Sequence, residues 1–344
     1  MYSLGDVACY DSPEKIATDP NVDIVAICVN VPEHYRLIKP ALEAGKEVFS
    51  EWPLARNVTE AEELTKLATA KGVRTMVGLQ ARQNPAILKA KEMVASGMLG
   101  EIIGSNMLVV FPLLERTARA PLIFLRYGHG ILFGQFIPEM FRVGLPVENG
   151  VNLVTVPFGH AVDALCFVLG EVKDITATLA NRAPEVSIMG SEDARVQKTA
   201  HDYISMTGVL VEGSGVVNVT YASGLSRTDR DFVWEINGSK GSLLLEGGPM
   251  GGHIQMYQPS IKLSSRDPEA AIYGMEESGH RLQEVHVEVA PDMSYNPGKA
   301  WDAFAGVGLD KGQSVTTFHD ALLRHKMIDA IYRSAEQGTR ENYL

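Results

Sequence analysis

Apolar positions in the first hundred residues come in short runs separated by longer amphipathic stretches. Val22 to Val29, with Ile24-Val25-Ala26-Ile27 at its heart, is a continuous apolar run of the kind carried by a strand in a parallel sheet. A polar turn, Asn30-Val31-Pro32-Glu33-His34, follows. A helix then runs from about Tyr35 to Glu43, with Gly45 as its stop, and Glu47 to Ser50 is the next strand. Strand, turn, helix, glycine, strand is one crossover unit of a parallel sheet. The rhythm repeats with a helix from Thr59 to about Ala70 stopped near Gly72, a strand from Arg74 to Leu79, and a helix from Pro85 to Ser96 ended by Gly97. Ahead of these, Val7 to Tyr10 reads as a short strand. Ser12-Pro13-Glu14 reads as a helix start, with Ser as cap and Pro at the first helical position.

The rhythm changes after Gly100. Glu101 to Phe111, Val172 to Asn181, His201 to Val211, Gly215 to Ala222, Phe232 to Ile236 and Ser242 to Glu246 read as strands. Turns such as Glu212-Gly213-Ser214-Gly215 suit antiparallel hairpins between them. Helices are expected at Phe158 to Leu169, near Ala300 to Phe304 and from Thr317 to Glu336. The expected fold is therefore α/β followed by α+β. Residues 1–100 form a Rossmann-like parallel sheet that looks truncated at its N-terminus, and residues 101–344 form an open antiparallel-sheet domain whose last helix packs back on the first. The truncation is expected because a Rossmann sheet opens with a glycine loop for pyrophosphate, and the residues before Val22 contain none.

Leu122 to Val147 fits neither rhythm. It is glycine-rich and strongly apolar, with no period of 2 or 3.6. One reading is an extended loop on the substrate side with a short helix. The other is an intron retained in the gene model.

Composition narrows the function classes. With 344 residues, 45% apolar and 21% charged, the chain is long enough for two folded domains and disorder is not expected. A net charge of -11 argues against direct nucleic-acid binding, which needs clustered Lys and Arg. Cys9, Cys28 and Cys166 are scattered and read as buried thiols without disulfide or zinc spacing. The nine histidines lack metal-binding spacing, so no metal is expected. The absence of a long apolar span argues against a membrane protein, and a cytoplasmic location follows.

Several segments in order carry a resemblance: Val22-Asp23-Ile24-Val25, Pro32-Glu33-His34, Ala44-Gly45-Lys46, Glu51-Trp52-Pro53-Leu54-Ala55, Gly78-Leu79-Gln80-Ala81-Arg82, Asn149 to Thr155, and Gly159-His160-Ala161-Val162-Asp163. Together they resemble the Gfo/Idh/MocA family of NAD(P)-dependent oxidoreductases, and within it the fungal Gal80-like branch that includes a yeast galactose regulator. The resemblance covers most of the chain outside Leu122 to Val147. It implies NAD or NADP as cofactor, with Asn30, Val31, Pro32 and His34 beside the nicotinamide end. Glu51, Trp52 and Pro53 would lie near the nicotinamide ribose, and Gln80 and Arg82 along the cleft. It implies His160 as the acid/base on a substrate hydroxyl, with Asp163 one helical turn away to orient it.

The departures matter as much. The family usually carries lysine where this chain has Trp52, and an acid where it has Val156; indole offers one N–H and cannot shuttle a proton. Trp52 either stacks on a bound ring or fills the volume of the lost lysine. His160, set among Pro157, Phe158, Val162 and Leu165, is either the surviving acid/base or a structural histidine. The missing glycine loop implies either an exon lost from the gene model or weak dinucleotide binding.

The resulting expectation is an NAD(P)-linked oxidoreductase acting on a hydroxyl or carbonyl of a small sugar-like or secondary metabolite. The alternative is a catalytically inactive sensor that binds NAD(P) and a transcription-factor partner, in which case a nuclear location is expected. A third reading is a non-functional gene product. A homodimer through the C-terminal sheet is expected in either functional case.

Overall fold

Local capping chemistry sets the first elements. Ser12 accepts the Lys15 N–H and, with Pro13, opens α1 (Pro13–Thr18). Strands β1 (Ile24–Ile27), β2 (Glu47–Ser50) and β3 (Thr75–Val77) then lie side by side, all parallel and in chain order. They are connected by α2 (His34–Glu43) and α3 (Val58–Lys71). The Asn57 side chain accepts the Glu60 N–H at the start of α3. Gly72, at φ +64, ends the helix in the left-handed conformation that a Cβ disfavours. Helix α4 (Pro85–Ala95) leads out, opened by Asn84, which accepts the Ala86 N–H. The computed structural model describes residues 7–111, 136–189, 195–223, 231–247, 252–265, 282–309 and 312–344.

The larger sheet has eight strands. Its members are β4 (Ile102–Phe111), β6 (Val172–Ala180), β9 (Tyr203–Leu210), β10 (Val216–Ser223), β11 (Phe232–Gly238), β12 (Gly241–Gly247), β13 (Ser260–Ser265) and β14 (Gln283–Glu284). Their spatial order is β14-β13-β12-β11-β4-β10-β9-β6. A small separate sheet joins β5 (Phe136–Pro138), β7 (Glu185–Met189) and β8 (Val196–Gln197).

The larger sheet is mixed rather than wholly antiparallel, because β4 and β10 pair in parallel from Gly104↔Val216 onward. The reason is positional. Strand β4 slots between β10 and β11 and is antiparallel to β11, so only one of its two neighbours runs in its own direction.

One face of the sheet is buried through Met107, Ile204, Val217, Tyr221, Trp234 and Leu243. The other exposes Asn106, Leu108, Thr207, Val216, Asn218 and Glu235. Helix α5 (Pro157–Leu169) is almost wholly buried and packs on α4. Helix α6 (Tyr295–Phe304) packs on the turn Gln80–Gln83. Helix α7 (Phe318–Gln337), opened by a reciprocal Thr317–Asp320 cap, packs on both α3 and β6 and so ties the parallel sheet to the mixed one.

Two expectations change, and a third lies mostly outside the described residues. Val7 to Tyr10 forms no strand, so β1 has no partner on its outer edge among the described residues. Cys9 and Cys28 are exposed and only Cys166 is buried, because the chain leaves its strand at Ile27 and Cys28 already belongs to the turn. Of the stretch Leu122 to Val147, residues 122–135 lie outside the described residues. Its remainder contains β5 and a 3-10 turn, Glu139–Gly144.

Candidate functional site

The turns that follow β1, β2 and β3 carry most of the sequence-predicted residues, and α5 packs on the last of these turns, Gln80–Gln83. Asn30 caps the short 3-10 turn Val31–Glu33 that leads from β1 into α2, with Val31 buried and Pro32 half-buried. His34 is fully buried beneath that turn. Its Nδ1 lies 2.9 Å from the Pro53 carbonyl oxygen and its Nε2 2.9 Å from that of Val29. Burial lowers its pKa against the opposing pull of these carbonyls. The ring therefore fastens the turn after β1 to the turn after β2; it supports the edge from within rather than facing a ligand.

Glu51 follows β2 and lies against Gly78. A Cβ on Gly78 would fall 2.7 Å from Glu51 Oε2, so glycine is what lets the carboxylate rest on the β3 end. The surrounding protein raises the pKa of this carboxyl by desolvation, although part of the residue remains in solvent. Cys28, although exposed as a residue, faces the same corner, its thiol pKa raised by partial desolvation and then by the Glu51 charge. Gln80 comes next along the edge, and its Oε1 is buried without a hydrogen-bond partner among the described residues. A carboxylate held over a bare glycine and an unsatisfied amide oxygen fit the hydroxyls of a ribose and the donors of a carboxamide. The described residues thus suit the nicotinamide half of a dinucleotide, whereas no glycine loop for the pyrophosphate is found among them.

Trp52 is enclosed. Its Nε1 donates to the Thr155 carbonyl at 2.8 Å, and its ring packs at 4.9 Å from that of His325 on α7. A Cβ on Gly159 would lie 2.6 Å from Trp52 Nε1, so this helical glycine is the notch that receives the indole. Trp52 thus fills the interior between α5 and α7, and Pro53 beside it is buried too. The burial of His325 pushes its pKa down to about 3, so the imidazole against Trp52 is neutral.

His160 follows Gly159 on α5 and is 6% exposed. Asp163, one turn on, is fully buried and committed elsewhere. It accepts a two-pronged pair of hydrogen bonds from Arg82, at 2.8 Å from Nε and 2.7 Å from Nη2. Arg324 Nε approaches it at 3.7 Å. Arg82 also donates to Asp320 at 3.0 Å, and Arg324 pairs with Glu171. Burial alone would raise the Asp320 pKa, but the Arg82 charge and the Thr317 hydrogen bonds outweigh it and hold the carboxyl low. Arg82 and Asp163 therefore join the turn after β3 to α5 and α7 as an internal clamp.

Asn30, Glu51 and Gln80 follow the ends of β1, β2 and β3, and α5, which bears His160, packs on the turn that begins at Gln80. It places His34, Trp52, Pro53, Arg82 and Asp163 in the packing beneath. Sequence reasoning missed His325, Tyr332, Asn152 and Glu148, which come together on the far side of Trp52. The visible signal was Arg324-His325, two polar residues on the otherwise apolar face that Phe318, Ala321, Ile328 and Ile331 give to α7.

Comparison with known proteins matches residues 4–79 to the oxidoreductase family with an NAD-binding Rossmann fold. Residues 123–247 match the Gal80p C-terminal domain. The dehydrogenase aclE of Aspergillus oryzae is 31% identical over 341 residues, spanning 97% of this chain and 82% of that protein. The galactose/lactose metabolism regulatory protein GAL80 of Saccharomyces cerevisiae is 26% identical over 382 residues, spanning 98% and 82%. The crystal structure of a super-repressor mutant of Gal80p from the same yeast superposes with a TM-score of 0.80 at 25% identity, covering 97% of this chain and 83% of that one.

Proposed function

Since this chain belongs to the Gfo/Idh/MocA family of NAD-binding oxidoreductases, in the branch with a Gal80-type C-terminal domain, we propose that it is an NAD(P)-linked oxidoreductase. Its substrate would be the hydroxyl or carbonyl of a small sugar-like or secondary metabolite. One observation carries the reading: Asn30, Glu51 and Gln80 follow the carboxyl ends of three parallel strands, where such sheets bind ligands, and the His160-bearing α5 packs on the Gln80 turn. The nicotinamide, when bound, supplies the hydride acceptor or donor. Glu51 and Gln80 hold the ribose and carboxamide, Asn30 borders them, and His160 takes or returns the hydroxyl proton. His34, Arg82 and Asp163 keep these elements in register.

The enclosure of Trp52 favours a second reading, a sensor without turnover that binds NAD(P) and a transcription-factor partner. Where the family keeps a lysine, this chain buries an indole whose only donor is already taken by Thr155. The dehydrogenase relative supports the first reading, and the regulator supports the second.

Titrating NADH and NADPH while following fluorescence, then screening sugars and polyols for turnover, separates the two. The oxidoreductase reading expects turnover that is lost in His160→Ala. Binding without turnover establishes the sensor, and no binding of either nucleotide overturns both. The half-apolar open face of the eight-stranded sheet supports a homodimer, which a monomer mass by light scattering would reject. The enzyme reading carries a cytoplasmic location and the regulator reading a nuclear one.

A further inference from the structure

A cavity of about 310 Å³ lies on the far side of Trp52, between the start of α3, the loop that precedes α5, and α7. Arg56, Glu148, Thr155, His325, Asp329 and Tyr332 line it. His325, Asp329 and Tyr332 are spaced along one face of α7. The volume is at the lower end of small-molecule sites and suits a ligand of roughly a dozen heavy atoms.

The cavity wall includes one unsatisfied polar residue among the described residues. His325 is 4% exposed, and its Nε2 has no hydrogen-bond partner among the described residues. Behind the cavity wall, Asn152 is fully buried. Its Oδ1 accepts the Tyr332 hydroxyl at 3.3 Å and the Val154 N–H at 2.9 Å, while its Nδ2 has no partner among the described residues. The unpaired His325 nitrogen on the cavity wall is a standing cost that a ligand hydroxyl removes.

The chemistry of the walls selects the ligand. His325 is neutral and Tyr332 keeps its proton, burial raising the phenol to about 12. Arg56 is engaged by Glu60, and Asp329 by Arg333. Glu148, exposed at the rim, makes no ion pair among the described residues. With its other charges internally neutralised and the Glu148 carboxylate at its mouth, the cavity disfavours phosphates and other anions. Its neutral imidazole and phenol call for a group that both donates and accepts, which is a hydroxyl.

We propose that this cavity is a binding site for a small neutral polyol, of monosaccharide or alditol size, separate from the nicotinamide edge. A hydroxyl meets His325 Nε2 in the interior while a second donates to Glu148 at the rim. The proposal does not rest on the oxidoreductase reading, since it invokes none of Asn30, Glu51, Gln80 or His160.

Saturation-transfer NMR on the full chain, with D-glucose and D-sorbitol each at about 50 mM, tests it at the millimolar affinities expected of a neutral polyol. Transfer to at least one of the two is expected. Its affinity should weaken about tenfold in His325→Phe and several-fold in Glu148→Gln, each tenfold being about 1.4 kcal/mol. Glu148→Gln is an exposed change that leaves the core intact, so it decides the matter if His325→Phe does not fold. NADH binding should be unchanged in Glu148→Gln. No transfer to either polyol, or transfer unaffected by Glu148→Gln, overturns the proposal.

Discussion

Acidification should destabilise this protein through His325 in a way one substitution removes. The ring is buried against Trp52, and its folded-state pKa is about 3 against 6.5 for an exposed histidine. Burial is the main cause, with the His34 charge a further one; Arg56, Glu148 and Asp329 line the same cavity. A folded pKa below the unfolded one means that the unfolded chain binds the proton more readily. The stabilisation is complete above pH 6.5 and is lost as pH falls toward 3. Between pH 7 and pH 5 the loss from this residue alone comes to about 2 kcal/mol, with a limiting slope of about 1.4 kcal/mol per pH unit. Urea unfolding of the wild type and His325→Phe at pH 7, 6 and 5 isolates the effect, because other titrating groups are common to both. The wild type should lose about 2 kcal/mol more than the variant over that range. Parallel stability curves would show that the imidazole is protonated in the fold, and the burial argument would fail.

Three further outcomes follow from the packing around the site. Gly159→Ala places a methyl 2.6 Å from Trp52 Nε1 and should cost about 1–3 kcal/mol in thermal unfolding; Trp52→Leu in the same chain should remove most of that penalty, and additive losses would refute the notch. Arg82→Met leaves the fully buried Asp163 with Arg324 alone at 3.7 Å, and should cost about 3 kcal/mol or more by chemical denaturation. Glu51 has a raised folded pKa, so its contribution is favourable in acid and is lost as pH rises through that pKa. Glu51→Gln should accordingly melt higher than wild type near neutral pH and match it near about pH 3.5, and equal melting temperatures at both would contradict the desolvation.

What could be read from the sequence was local. The Asn57 cap and the Gly72 stop bound α3 by backbone chemistry that needs no distant partner, and the apolar run around Val25 and Ile27 marks β1 in the same way. The strands that escaped notice, β5, β7, β8, β13 and β14, are short, and Ser260-Ile261-Lys262-Leu263-Ser264 alternates polar with apolar over too few residues to stand out. The parallel pairing of β4 with β10 leaves no trace in either strand, since direction is a property of the whole sheet. At the site the same limit held. Helical spacing suggested that Asp163 orients His160, but the residue that claims the carboxylate is Arg82, 81 positions earlier. Trp52 could be recognised as a departure; that it is closed in by Gly159 and His325 depended on α5 and α7 meeting there.

The place of β4 has a consequence for how the chain is made. It is the first strand of the large sheet to leave the ribosome, yet it lies in the middle, and Asn106 waits for Asn218, 112 residues later, before its ladder can close. Until then its apolar side, Met107 and Val109, has no flanking strand to shield it. Assembly of the eight-stranded sheet is thus a late, long-range event, slower than that of a sheet built from successive hairpins. During synthesis the exposed nascent strand is the point at which a chaperone would be needed most.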